Sequence, residues 1–338
     1  MKQLRLKIVD YYENEFEKTT FYKVLQEHYD IVYSDNPDYI ICSVFGKRYD
    51  YCKYPQIRIM ISPENYIPDF NLIDYGVSSY PLYFGDRHFE YPVCIDNTGH
   101  FCELFTKRKT GNRNELANRK FCNFIFSHDS EYNIRSCFFR QLEQYKPVSA
   151  PGKLMNNESV IVNYTDSSKT DYQRQFKFTI CFESTNHHGF VTEKITDAFY
   201  AETIPIFFGS SSVNKYFNEK AFIDISKFDS FESAINRIIE LDNNDDEYLK
   251  MLNESSINPK FDLHYFMKSY EEYVLNIFSQ PYELAYRRSR VYKPNAYNEY
   301  LINPTSEMSV KALGGSIIDR ILHRSKWFDH IDIITPIW

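Results

Sequence analysis

Residues 176–209, FKFTICFESTNHHGFVTEKITDAFYAETIPIFFG, constrain the fold more than any other stretch. Residues 177–183 form a short apolar run ending in an acid, the pattern of a buried strand. Residues 184–189 have loop chemistry, with two His and a closing Gly. Residues 191–200 place apolar side chains at 191, 195, 198 and 199, one face of a helix. Residues 204–208 are a second buried strand, stopped by Gly209. Two strands joined through one helix run parallel with a right-handed crossover, so the class is α/β.

Open α/β sheets bind ligands beyond the carboxyl ends of their strands. That edge here carries Glu183, Ser184, Thr185 and Asn186, then Thr192, Glu193 and Lys194 in the expected first helical turn. Free N–H groups and the helix dipole attract an anion at such a place. A lysine there opposes the dipole, and a bound phosphate would reverse the penalty. A solvated surface lysine beside an ordinary helix-start glutamate fits the segment equally well.

At 338 residues the chain is too long for one core and suits two domains. Its formal charge of −7 argues against a nucleic-acid partner. Seven cysteines without a CxxC pair, several inside apolar strands, read as reduced thiols in a cytoplasmic protein, with no zinc site. No run is long enough to span a bilayer.

In chain order, residues 4–8, 30–33, 39–45, 57–61 and 73–78 read as strands, with a helix capped by Thr19 or Thr20. Glu64 follows the strand 57–61 and should project at that sheet's carboxyl edge, where an acid is either a candidate base or a turn residue. The pair Asp86–Arg87 and His88 lie in a loop, where a structural role is the simpler reading. Residues 106–120 are polar and basic, a linker or an exposed helix. Residues 120–128 form another buried strand ending in His128, and a helix follows over 133–145 with Arg135 in its first turn. Arg135 and Lys194 thus repeat one placement, a cation near a helix start just after a strand. Helices are expected over 231–241, 246–252 and 261–278. Residues 287–294 are basic and residues 316–338 amphipathic; this tail suits a membrane surface, self-association, or packing on its own domain.

The segments CFES and GFVTEKITDAFYAETIPIFFG resemble the α-1,3-fucosyltransferases of glycosyltransferase family 10, especially the bacterial type. The likeness extends through SSVNKYFNEKAFIDISKF, KFCNFIFSH and NIRSCFFRQLEQY, and in the first half through PENYIPDFNLIDYG and FGDRHFEYP. It covers most of residues 56–255. The resemblance implies a GT-B fold, two Rossmann-like domains facing across a cleft. Residues 1–112 would form the acceptor domain, 113–280 the GDP-sugar domain and 281–338 a tail. It further implies Glu64 as catalytic base, Lys194 and Arg135 on the donor diphosphate, and Glu193 on the ribose. Glu183, Ser184, Phe190 and Thr192 complete the donor set, with His128, Asn186, His187 and His188 on the adjoining loops. Two residues depart from the family pattern. Ser184 replaces Asn, and Phe190 replaces Tyr; His187, His188 or Thr192 would then supply the missing polar group. His128 also stands where relatives often carry Asn.

The activity so implied is inverting transfer of fucose from GDP-fucose to the 3-hydroxyl of GlcNAc in an N-acetyllactosamine-type acceptor, with no obligatory metal or other cofactor. Another GDP-sugar, a 1,2 or 1,4 linkage, or a non-catalytic carbohydrate- or nucleotide-binding protein are the alternatives. The acceptor itself is not legible.

Overall fold

Alternating apolar runs and short amphipathic helices build two parallel sheets. The computed structural model describes residues 1–11, 14–46, 49–96, 100–107, 111–159, 161–162 and 168–288. The basic and amphipathic tail beyond residue 288 lies outside them.

The first sheet contains β1 (Lys2–Val9), β2 (Tyr29–Tyr33), β3 (Tyr39–Cys42), β4 (Ile57–Ser62), β5 (Tyr75–Ser78) and β6 (His88–Glu90), in the order β2-β1-β3-β4-β5-β6. Every pair is parallel. The second contains β7 (Lys120–Asn123), β8 (Val148–Ser149), β9 (Phe176–Phe182), β10 (Ile204–Phe208) and β11 (Ile223–Asp224), in the order β11-β10-β9-β7-β8, again all parallel. β3, β4, β9 and β10 are buried along their whole length, as strands covered on both faces should be. β6 and β8 are too short to leave a sequence pattern. The expected strand 73–78 begins two residues later, at Tyr75.

Thr19 caps the Thr20–His28 helix by accepting from the Tyr22 N–H. Ser230 and Ser233 form a reciprocal capping box at the Phe231–Asn243 helix. The polar stretch 106–120 contributes one helical turn, Arg113–Leu116.

The sequence reading groups residues 261–278 with the second domain, but the Leu263–Ser279 helix packs on the first sheet. Phe278 meets Tyr39 and Phe21, and the Tyr273 hydroxyl donates to the carbonyls of Gly76 and Arg87. Amphipathic spacing identifies the apolar face of a helix but not the domain it covers. One apolar core joins Leu4, Ile59 and Val77 of the first sheet to Val191, Ile195 and Phe199 of the second domain. A second core lies within the second domain, around Phe124, Phe138, Phe178 and Ile206.

Asp242 is a buried anion held between Lys177, 2.7 Å away, and Lys146. Burial raises its carboxyl pKa, but the two lysines outweigh that and hold it below the ordinary aspartate value. Its contribution to stability is therefore present above the unfolded-state pKa of about 3.9 and lost as pH falls through the lower folded-state value. Denaturant titrations of wild type and Asp242→Asn should differ at neutral pH and converge at strongly acid pH.

No helix among the described residues is long and apolar enough to cross a membrane.

Candidate functional site

β9 delivers Glu183 at its end, and the helix Glu193–Tyr200 returns beside it. Thr192 is the extended residue before that helix rather than part of its first turn. Its own side chain caps nothing; instead Glu183 reaches across. The Glu183 carboxylate accepts the Thr192 N–H at 2.8 Å and the Thr192 hydroxyl at 2.9 Å. Lys194 Nζ donates to Glu183 Oε2 at 3.0 Å and to Thr192 Oγ1 at 2.8 Å. Burial opposes the Lys194 charge, yet Glu183 and Glu193 prevail and raise its pKa. Glu193 lies 3.9 Å from the same ammonium. Burial opposes its charge too, and Lys194 and Lys169 hold its carboxyl below the usual range.

Arg135 enters from the Ile134–Leu142 helix and is buried. It donates to the carbonyls of Phe182 and His128, and its guanidinium lies 4.3 Å from the centre of the Phe126 ring. Desolvation lowers its pKa, while Glu183, Asp129 and Glu193 favour its charge. Arg135 thus ties the end of β9 to the His128 loop and adds positive charge beside Lys194.

From the first domain, Glu64 stands two residues beyond β4, exposed at the sheet's carboxyl edge. Ser62 Oγ turns the chain there, accepting the Glu64 N–H at 3.4 Å. The Asn65 side-chain amide donates to Thr185 Oγ1 of the second domain at 3.0 Å, tying the two loops together. Partial burial raises the Glu64 carboxyl above its usual range; Lys194 opposes the rise and Glu193 adds to it. Glu64, Glu193 and Lys194 therefore share one electrostatic environment across the cleft.

The loop residues separate into two groups. Asn186, His187 and His188 are exposed, as is His128, and Ser184 is half-buried. Phe190 is buried, its N–H bonded to the His187 carbonyl. Gly189 has φ +81°, and a Cβ there would fall 1.7 Å from the Ser79 carbonyl oxygen, so only glycine lets this loop press against the first domain. Its N–H donates to Ser210 Oγ and Ser212 Oγ, both at 3.1 Å. Sequence reasoning missed these serines; the run of three Ser after Gly209 was the available signal. It also missed Lys169, a buried lysine 2.7 Å from Asp197 on the helix that carries Lys194.

Arg87 and His88 are structural. Arg87 donates to the carbonyls of Asp74, Phe70 and Ile73 between two phenyl rings, and His88 bonds Ser78 and the Leu82 carbonyl. A cavity of about 220 Å³ opens at the carboxyl ends of the first sheet, lined by Tyr11, Phe45, Ser62, Pro63 and Tyr91 among others. Pro63 places it next to Glu64. A larger open cavity of about 570 Å³ runs along β1 and β2 and includes none of the candidate residues. The described residues gather metal-ligand atoms at Glu27, His28 and Glu271, a group that likewise contains no candidate site residue.

A model for glycosyltransferase family 10 (fucosyltransferase), C-terminal part, matches residues 116–262, and one for the alpha-(1,3)-fucosyltransferase FucT N-terminal domain matches residues 6–95. The chain is 30% identical over 283 residues to alpha-(1,3)-fucosyltransferase FucT of Helicobacter pylori, covering 72% of this chain and 57% of that protein. It thus spans little more than half the length of that relative. Alpha-(1,3)-fucosyltransferase 4 of Bos taurus is 28% identical over 128 residues, 37% of this chain and 31% of its own. A crystal structure of an alpha1,3-fucosyltransferase superposes with a TM-score of 0.68 at 26% identity, over 81% of this chain and 91% of that one. An alpha1,3-fucosyltransferase crystallised with GDP-fucose gives 0.66 at 25% identity, over 83% and 92%. Two all-parallel sheets facing across the Glu64–Lys194 cleft, in this company, are the GT-B fold. With both of its halves matched by models for the same enzymes, the chain belongs to glycosyltransferase family 10.

Proposed function

We propose that the protein is an inverting α-1,3-fucosyltransferase that takes GDP-fucose as donor and the 3-hydroxyl of GlcNAc in an N-acetyllactosamine-type glycan as acceptor. The observation that carries this reading is the Asn65–Thr185 bond, which ties the Glu64 turn of one domain to the loop leading to Glu193 and Lys194 of the other, close enough for their charges to act on the Glu64 carboxyl. In the transfer, the acceptor oxygen forms a bond to the anomeric carbon as the bond to the diphosphate oxygen breaks. The acceptor proton passes to Glu64. The electron pair leaves with GDP, whose growing negative charge meets the preorganised Lys194 and the charge of Arg135. Glu193 accepts from the ribose hydroxyls in this scheme, the role that the family resemblance implies for it. Two cations do the work of a metal in this scheme, so none is obligatory. The cavity beside Pro63, lined by aromatic rings together with Glu15, Lys18, Thr19 and Ser62, suits a sugar ring of the acceptor. All seven cysteines are free thiols, which suits a cytoplasmic site of action.

The test is a donor and acceptor screen without added metal, following GDP release. GDP-fucose with N-acetyllactosamine should turn over and place fucose on the GlcNAc 3-hydroxyl. Turnover only with another GDP-sugar, or at another hydroxyl, would overturn the assignment.

A further inference from the structure

Glu183 directly follows β9, and its side chain is 0% exposed. A buried carboxylate needs compensation for every lone pair it takes out of water. Here the compensation is local and comes from three donors. Oε1 accepts the Thr192 N–H, Oε2 accepts the Lys194 ammonium, and the Thr192 hydroxyl donates to the carboxylate while accepting from Lys194. The family resemblance puts Glu183 in the donor set; its closed side chain and three internal donors point to an indirect part in that set. Its contacts act on Lys194. A lysine in the first turn of a helix opposes the dipole and would otherwise swing into water. Two of its three N–H donors are fixed by Glu183 and Thr192, which leaves one for an outside oxygen. Gly209 gives independent support: a Cβ there would lie 2.8 Å from Glu183 Cγ, so the backbone at the end of β10 is shaped to admit this carboxylate.

We propose that Glu183 is a positioning residue, whose carboxylate holds the Lys194 ammonium charged and aimed with one free N–H at the departing diphosphate. This rests on the transferase reading above. The groups facing that ammonium are Glu183 from β9, Glu193 on its own helix, Arg135 from the Ile134–Leu142 helix and Glu64 from the first domain. Glu183 is the one among them that bonds it directly. A glutamine cannot replace it. Its amide oxygen satisfies either the Thr192 N–H or the ammonium, and its NH₂ then confronts the other donor.

The experiment is the pH dependence of kcat/KM for wild type and Glu183→Gln, with GDP titration and circular dichroism on both. Loss of the anion lowers the lysine pKa, so the Gln variant should lose activity on the alkaline side about one pH unit or more before wild type, with kcat reduced at least about tenfold. An alkaline limb that does not move in a folded Gln variant overturns the proposal. Thr192→Val decides the matter if Glu183→Gln does not fold. It keeps both charges and removes one of the two ammonium anchors together with one donor to the buried carboxylate, so kcat should fall in a variant that circular dichroism shows to be folded; wild-type kcat would count against the proposal. A wild-type protein that neither binds GDP nor releases it would overturn the transferase reading, and this inference with it.

Discussion

Glu64→Gln should lower kcat by about 10²–10⁴-fold, the usual contribution of a general base, while GDP binds as it does to wild type. The separation follows from where the residues lie. Glu64 sits on a first-domain turn held by Ser62 and by the Asn65–Thr185 bond, whereas Lys194, Glu193 and Arg135 are all placed by second-domain strands and helices. Glutamine keeps the volume and the turn but cannot take a proton. The pH profile supplies a second readout. Glu64 works only when ionised, and partial burial raises its pKa, so wild-type kcat/KM should climb with pH through a value above the ordinary carboxylate range. The residual activity of the variant should lack that limb. A Gln variant at the wild-type rate would remove Glu64 as the base. Parallel loss of GDP affinity would indicate that the fold had been disturbed instead.

The parts of this site legible in the sequence are those set by local pattern. The order of strand, loop and helix around residues 176–209 placed Glu193 and Lys194 at a helix start, and the strand before Glu64 placed it at a sheet edge. What remained hidden depends on partners distant in sequence. The bonds from Thr192 and Lys194 to the Glu183 oxygens leave no trace in the sequence around it. Arg135 reads as a free cation until its guanidinium is seen against two carbonyls and the Phe126 ring. The Leu263–Ser279 helix was evident as a helix, but its side-chain period carries no information about which sheet it covers. β6 and β8, at three and two residues, are too short for any alternation to register.

The same limit hid Asp74, whose replacement by alanine should produce the largest loss of stability in the molecule. Sequence shows only an acid inside the expected strand 73–78. In the fold its carboxylate is fully buried and accepts the backbone N–H groups of Arg58, Arg287 and Arg288 at 2.7–2.8 Å. The Arg288 guanidinium, itself buried, lies 3.0 Å away. Alanine would leave two buried N–H donors, one half-buried donor and one buried cation without their anion. Breaking a buried pair in this way costs about 3–5 kcal/mol. Denaturant unfolding should show that loss, and amide exchange should accelerate at Arg58, Arg287 and Arg288; a loss below about 1 kcal/mol would mean that water or neighbouring carbonyls replace the carboxylate. The consequences for activity are directional. Arg58 lies in β4, the strand that leads into Glu64, while the donor cations are held by the second sheet. Loosening Asp74 should therefore reduce kcat through a displaced base before it weakens GDP. If GDP affinity falls first, the two sheets are coupled through the shared apolar core that joins Ile59 and Val77 to Val191 and Ile195, and the first domain supports the donor site as well as the acceptor.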